Sequence, residues 1–282
     1  MTAGMLHKLF RILSQAVFPP KCLVCRNFIQ PPVPDADPVS EVSAGNGIDR
    51  SPWLQGLLDR LLSGYLCPAC IRTMVAVESP ICVCCGLPFK SRQGDDHPCG
   101  ECMDSPKRFR IARAPLVYEP ILTRLVHCFK YQGKIQLAAP LSGLLQAAFQ
   151  RLWDPDSIDM ILPVPLHLQR LRKRGFNQAY LLVRNWETSA GPSDERKPRF
   201  RIERNVLVRK VSTLPQSALG RTQRAVNIKN AFELSRPDKI LDKRILLIDD
   251  VYTTGATADE CARILLQSGA AHVDVLTLAR AV

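Results

Sequence analysis

The chain has no apolar run near the roughly 20 residues that cross a bilayer, so nothing in it reads as a membrane span. Aromatics are few, 6% of 282 residues, with three Trp and five Tyr, so a broad stacking platform for bases is not evident. Two common phosphate-binding signatures are missing: no glycine-rich loop ends in Lys-Ser/Thr, and no three-glycine turn follows a strand. The first 18 residues space Leu6, Leu9, Phe10, Leu13, Val17 and Phe18 around Lys8 and Arg11, as in an amphipathic helix. They lack the continuous apolar core and cleavage site of an export signal, and the expected compartment is cytoplasmic. With 46% hydrophobic and 23% charged residues, the composition also excludes a disordered chain.

What the chain does have is cysteine and positive charge, in different places. Residues 1–102 hold nine of the 11 Cys and balance nine basic against nine acidic side chains. Residues 103–282 hold 29 basic and 17 acidic, so the whole formal charge of +12 lies there. The opposition places a domain boundary near residue 105, giving a cysteine-rich module over 1–105 and a second domain over 106–282. Between Arg170 and Lys229, 15 basic residues stand against four acidic ones. Such a field suits a polyanion or a phosphorylated small molecule, while a solvated basic face is the plainer reading.

Four cysteine pairs share a two-residue spacing: Cys22/Cys25, Cys67/Cys70, Cys82/Cys85 and Cys99/Cys102. That spacing lets a tight turn offer two sulfurs to one ion, and four thiolates complete a tetrahedral zinc site. Sequential pairing predicts one Zn²⁺ on Cys22, Cys25, Cys67 and Cys70 and a second on Cys82, Cys85, Cys99 and Cys102. Both sites are expected to be structural, because four sulfurs leave no open position. The long gap in the first set holds a Pro/Asp/Ser/Gly-rich stretch near 30–50 that reads as a flexible insertion, then a short helix carrying Trp53, Leu54, Leu57, Leu58, Leu61 and Leu62. Disulfides would need an oxidising compartment, and a redox pair explains one such spacing but not four. An iron–sulfur centre uses the same ligands and stays open. Cys84 reads as a bystander, and Cys128 and Cys261 as buried core thiols.

Beyond residue 106 strand and helix alternate. Strands are expected at 111–118, 158–164, 206–208, 245–248 and 273–278, with helices around Leu122–Phe129, 135–149, 179–186, 221–229 and 256–268 and an irregular stretch at 188–201. The pattern is that of an α/β domain with a parallel sheet covered on both faces.

The segment 245–257 carries the chemistry. Four aliphatic residues deliver Asp249 and Asp250 to the carboxyl end of a strand, where ligands bind in open α/β sheets. The turn Thr253-Thr254-Gly255-Ala256-Thr257 then opens a helix. Hydroxyls, a close-approach glycine and free helix N–H groups together can grip a phosphate monoester. Adjacent carboxylates would repel that phosphate and instead suit the hydroxyls of its sugar, directly or near Mg²⁺. The expected ligand is a sugar phosphate with vicinal hydroxyls; the plainer reading makes one Asp a helix cap and the threonines turn residues.

Residues 245–257 resemble the phosphoribosyl-pyrophosphate-binding motif of type I phosphoribosyltransferases, and the whole chain resembles the ComF (ComFC/GntX-like) family. Phe129-Lys130-Tyr131, Pro163-Val164-Pro165-Leu166, the run Arg170 to Gln178, Arg209-Lys210, Gln216, Leu219, Arg224 with Asn227, and Ala231-Phe232 add to the likeness. The resemblance implies a type I phosphoribosyltransferase-like parallel sheet behind a small N-terminal zinc-ribbon module. It implies phosphoribosyl pyrophosphate with Mg²⁺, ribose hydroxyls on Asp249 and Asp250, the 5-phosphate in Thr253 through Thr257, and pyrophosphate at Val164, Pro165, Leu166 and His167. Lys130 and Arg174 would stabilise the leaving pyrophosphate, and Arg170 to Arg174 with Arg209 to Arg224 would face pyrophosphate or a second acidic ligand. One departure stands out: hypoxanthine-type transferases carry a carboxylate facing the base where this chain has Thr253, leaving no evident general base. The family's association with competence and DNA uptake makes single-stranded DNA or a DNA-uptake protein a candidate partner. A non-catalytic sugar-phosphate sensor or DNA-binding module is the alternative to an enzyme.

Overall fold

A computed structural model describes residues 20–29, 52–91, 93–186, 200–211 and 228–282. The amphipathic segment 1–18, the insertion near 30–50, the irregular stretch expected at 188–201 up to residue 199, the helix expected at 221–229 up to residue 227, and Gln216 and Leu219 fall outside them; Arg201, expected to be irregular, begins a strand. Among the described residues, no helix is long and apolar enough to cross a membrane.

Contacts divide the chain into two compact units, 1–75 and 76–282. Composition draws the line near 105, because cysteine ends there. The contacts draw it 30 residues earlier, because the Cys82–Cys102 set packs into the same apolar cluster as Tyr252, Val273 and Val275 of the sheet.

In the first unit, α1 (Pro52–Leu62) buries Leu54, Leu57, Leu58 and Leu62, the spacing of one helical face. The short α2 (Pro68–Arg72) follows, with Cys67 at its N-cap and Pro68 in the first turn, where a missing N–H costs nothing.

The second unit begins with a cysteine knuckle and α3 (Gly100–Asp104). Its strands are β1 (Ala112–Arg113), β2 (Leu116–Val117), β3 (Met160–Pro163), β4 (Arg201–Ile202), β5 (Leu207–Arg209), β6 (Phe232–Leu234), β7 (Arg244–Tyr252) and β8 (His272–Arg280). The main sheet runs β1-β8-β7-β3-β4, with β2 also on β8, and every pairing in it is parallel. Ile245 to Ile248 and Val273 to Ala279 are buried throughout, as parallel strands covered on both faces require. Flanking these strands in sequence are α4 (Pro120–Tyr131), α5 (Ala138–Leu152), α6 (Leu168–Arg174), α7 (Gln178–Leu181) and α8 (Ala256–Gln267).

Three expectations change in detail. The strand expected at 111–118 is two short pieces, β1 and β2, separated at Ala114-Pro115, where proline has no N–H for a ladder. The strand expected at 206–208 is β5, which leaves the parallel sheet and pairs antiparallel with β6. The helix expected at 179–186 is regular only over α7, although Trp186 is buried beyond it. Cys128 and Cys261 are core thiols, 1% and 0% exposed.

Two arginine–aspartate forks tie strand starts to their surroundings. Arg110 Nε and Nη2 donate to the fully buried Asp274 at 2.9 and 2.5 Å, and Trp153 Nε1 donates to the same carboxylate at 2.7 Å. Arg244, at the start of β7, donates Nε and Nη2 to Asp159 at 2.9 and 2.8 Å, and its backbone N–H adds a third bond at 2.9 Å. The Arg244 guanidinium holds the Asp159 carboxyl down at about 2, against an ordinary 3.8. That stabilisation is present above about pH 4 and is lost as pH falls toward 2. Asp159→Asn should therefore flatten the dependence of the urea midpoint on pH between 4 and 2, while an unchanged slope would show that this fork carries none of the acid sensitivity.

Candidate functional site

Each cysteine set is built from the same two parts. The first part is a knuckle closed by backbone bonds. Arg26 N donates to Cys22 O at 3.0 Å and Cys22 N to Asn27 O at 2.8 Å; in the second knuckle Gly86 N donates to Cys82 O at 2.9 Å and Cys82 N to Leu87 O at 2.8 Å. The turn needs a left-handed residue, Arg26 at φ 67° in one and Gly86 at φ 65° in the other. At Gly86 a Cβ would also come within 2.6 Å of Ala112 O, so glycine is required there twice over. The second part is a helix start, with Cys67 and Cys99 at the N-caps of α2 and α3 and Cys70 and Cys102 one turn in.

The four sulfurs of each set lie within 4.8 Å of one another, and seven of the eight cysteines are buried. Representative separations are 3.5 Å for Cys25–Cys67 and 3.7 Å for Cys85–Cys99. One thiol per set is prepared for ionisation. Burial works against it, yet backbone N–H groups of Cys67, Cys25 and Val24 bring Cys22 down to about 6, and those of Cys85, Cys99 and Cys84 bring Cys82 to about 7. Burial and the neighbouring thiols push Cys70 and Cys102 up. Four thiolates at these distances need a cation between them, so the donor set fits zinc, and both are tetracysteine zinc-type clusters.

The third feature lies where β7 ends. An open crevice is lined by Val164, Asp249, Thr253, Gly255, Thr257 and Thr277, among others. Gly255 has φ 75° at the N-cap of α8, and a Cβ there would fall 2.0 Å from Tyr252 Oη. Only glycine lets the turn close this tightly over the tyrosine. Ala256, also in the lining, donates its N–H to Thr254 Oγ1 at 3.4 Å.

The acidic pair divides its labour, because successive residues of a strand face opposite ways. Asp249 lines the crevice and accepts from Asp250 N at 2.9 Å. Asp250 is 3% exposed and forms an ion pair with Lys130, from the last turn of α4. Burial, then the adjacent Asp250, push the Asp249 carboxyl well above the usual carboxylate range. Burial acts on Asp250 in the same sense, but the Lys130 ammonium overrides it and holds that carboxyl below its ordinary value. The crevice thus presents a carboxyl whose ionisation is disfavoured beside an internally balanced ion pair.

The remaining sequence-predicted residues are more scattered. Val164 lines the crevice, and its carbonyl accepts from Asn177 Nδ2 at 3.1 Å. His167 serves as the N-cap of α6, its Nδ1 accepting from Gln169 N at 3.3 Å. Pro165 and Leu166 are not among the crevice-lining residues. Arg174 lies over the ring of Tyr131 at 4.9 Å and donates to Gln178 Oε1. Arg209 is 8% exposed; burial first and Arg170 second bring its guanidinium down to about 10.

Two positions beside the crevice escape sequence reasoning. Tyr252, at the end of β7, underlies the turn, and Arg280, at the end of β8, donates to Thr253 O at 3.0 Å. An arginine closing an otherwise apolar strand, Leu278-Ala279-Arg280, is the only trace in the sequence.

A parallel α/β unit with a strand-end crevice, together with two four-cysteine clusters, defines the class: a zinc-binding α/β protein. No family model matches the chain. Among curated proteins it is 33% identical over 234 residues to DNA utilization protein YhgH of Salmonella typhimurium, covering 81% of this chain and 96% of that one. Competence protein F of Haemophilus influenzae is 30% identical over 224 residues, 77% and 90% of the two chains. Competence protein ComFC of Bacillus subtilis is 29% identical over 222 residues, 76% and 84%. A solved structure of the allosteric regulatory enzyme of purine biosynthesis overlays 49% of this chain and 25% of its own at a TM-score of 0.30 and 13% identity. The chain belongs to the ComF/YhgH family.

The purified chain should carry two zinc ions, and Cys99→Ser should carry one, by metal analysis. A value of two in that variant would show that Cys99 is no ligand.

Proposed function

We propose that this protein is a DNA-utilisation module whose α/β unit binds a phosphorylated ribose, of the phosphoribosyl pyrophosphate type, without transferring it. The observation that carries the reading is the single crevice that joins Asp249 to the Thr253–Thr257 turn and the start of α8. The turn and the N-terminal end of α8 suit the 5-phosphate, and Asp249 suits the adjacent ribose hydroxyls. Arg170 and the buried Arg209 supply the positive charge a pyrophosphate needs, and the depressed Arg209 would regain stability on meeting an anion.

Mg²⁺ fits this site with Asp249 as its protein ligand, since magnesium is commonly bound by one or two carboxylates plus the phosphates of its partner. With the ion bound, the ionised form of Asp249 would be favoured and the phosphate charge would be offset. Asp250 already has Lys130, which balances that carboxylate independently of any ligand.

Two features favour binding over transfer. Thr253 stands where a base-facing carboxylate would be needed, and Lys130 is committed to Asp250 rather than free for a leaving group. The names of the relatives, DNA utilization and competence proteins, support a role with DNA. Single-stranded DNA fits the face of α6, where Arg172 and Lys173 are exposed and Arg174 lies over the exposed ring of Tyr131. An enzymatic pentosyltransferase is the second reading on the strength of Asp249 in a strand-end crevice beside the Thr253–Thr257 turn; pyrophosphate release in the presence of bases, amines or DNA would establish it.

Asp249→Asn should weaken Mg²⁺-dependent binding of phosphoribosyl pyrophosphate at least tenfold in a calorimetric titration, with both zinc ions retained. Equal affinity in wild type and variant would end the ribose reading. Replacing Arg172, Lys173 and Arg174 with Gln should lower affinity for single-stranded DNA and make the plot of log K against log salt shallower by about 2, at about 0.7 for each phosphate no longer neutralised. An unaltered slope would move the DNA-binding face elsewhere.

A further inference from the structure

The second cysteine cluster and the crevice share a buried arginine. Arg280 is 5% exposed, at the last position of β8, and each of its three nitrogens is engaged. Nε donates to the Cys85 carbonyl at 3.0 Å, Nη2 to the Cys85 Sγ at 3.6 Å, and Nη1 to the Thr253 carbonyl at 3.0 Å and to Ala281 O. Its guanidinium also lies 4.5 Å from the centroid of the Tyr252 ring. One planar fork thus spans a metal-ligating residue and the first residue of the crevice turn, a geometry that the rigid five-donor guanidinium supports and an ammonium does not.

Tyr252 completes the link. It is 4% exposed, packs edge-on against Phe109 at 6.0 Å, and shares an apolar cluster with Cys82, Cys85, Cys99 and Cys102. Its hydroxyl sits directly beneath Gly255, with no hydrogen-bond partner among the described residues. The turn is therefore held from below by Tyr252 and from the side by Arg280; Arg280 is anchored on the Cys85 knuckle, and Tyr252 shares the apolar cluster of that knuckle. The knuckle is pinned further by Ala112 N donating to Cys84 O at 2.7 Å and by Arg113 Nη2 donating to Val83 O at 2.9 Å.

We propose that Arg280 is a positioning residue that makes the shape of the crevice turn depend on metal in the second cysteine cluster. Groups that bond to metal ligands orient those ligands, and the bond works in both directions. A metal tetrathiolate is net negative and fixes the Cys85 sulfur and carbonyl as acceptors for Arg280, which then holds Thr253 and the ring of Tyr252. Without metal the four sulfurs no longer share a cation, the knuckle loosens, and Arg280 loses two of its anchors. Thr253 through Ala256 then lose the support that closes the phosphate-binding turn. The first cluster belongs to the other compact unit and is not part of this device. The ligand arm of this proposal rests on the phosphorylated-ribose reading; the loop arm does not.

The experiment follows amide hydrogen exchange across 253–257 in the full chain carrying Cys22→Ser and Cys25→Ser, so that only the second cluster can hold zinc. Stripping zinc should speed exchange of these amides at least tenfold. Zinc-loaded Arg280→Met should exchange as fast as the stripped parent, retain its zinc, and respond no further to stripping. Arg280→Lys, which keeps the charge on Tyr252 but cannot span both carbonyls, should fall between and serves if the methionine variant fails to fold. A loop that stays protected in zinc-loaded Arg280→Met, or that still responds to stripping in that variant, overturns the proposal. With coupling present in exchange, affinity for phosphoribosyl pyrophosphate should fall in parallel. Coupling in exchange with no affinity in the parent would end the ribose reading and leave the metal–loop link standing.

Discussion

The register between β7 and β8 is the constraint from which most of this structure follows. Eight residue pairs run in parallel from Arg244 opposite His272 to Tyr252 opposite Arg280. Both strands are apolar and buried on both faces, so a slip of one position would turn Asp249, Asp250 and Arg280 toward the wrong neighbours. In the observed register Asp249 opens onto the crevice, Asp250 reaches Lys130, and Arg280 lies across Tyr252. The ladder fixes the crevice-facing acid and the arginine clamp in one step.

Burying charge at the centre of such a sheet is costly unless each charge is matched. Here the matching is local. Asp250 has Lys130, Asp274 has Arg110 and Trp153, and Arg280 has three carbonyls, a sulfur and an aromatic face. Asp249 is the exception, its ionisation disfavoured by burial and by the adjacent Asp250, and it is the acid that faces the crevice. A carboxyl with no cation of its own, placed in a crevice, is a candidate binding group rather than part of the fold's internal charge pairing.

The two cysteine clusters show how one local design serves different ends. Both combine a knuckle with a helix start, and both have one thiol whose ionisation is favoured by backbone N–H groups. One closes a small unit with α1 and α2. The other sits in the apolar cluster of the large sheet, which is why cysteine composition and chain contacts divide the molecule at different residues.

Local pattern determined much of this molecule. The two-residue cysteine spacings specified the metal sets, the aliphatic run before Asp249 specified a buried strand, and the glycine at 255 specified the tight turn, because each depends on neighbours within a few residues. Helical periodicity likewise marked helices around Leu122–Phe129, at 135–149 and at 256–268, which form as Pro120–Tyr131, Ala138–Leu152 and Ala256–Gln267. Tertiary structure alone decided the rest: that Asp249 and Asp250 face different partners, that Leu207–Arg209 leaves the main sheet, and that Arg280 meets Cys85, 195 residues earlier. Those contacts arise from strand register and from which surfaces pack together. Such interactions join residues far apart in the chain, and they leave no periodic signal in the sequence.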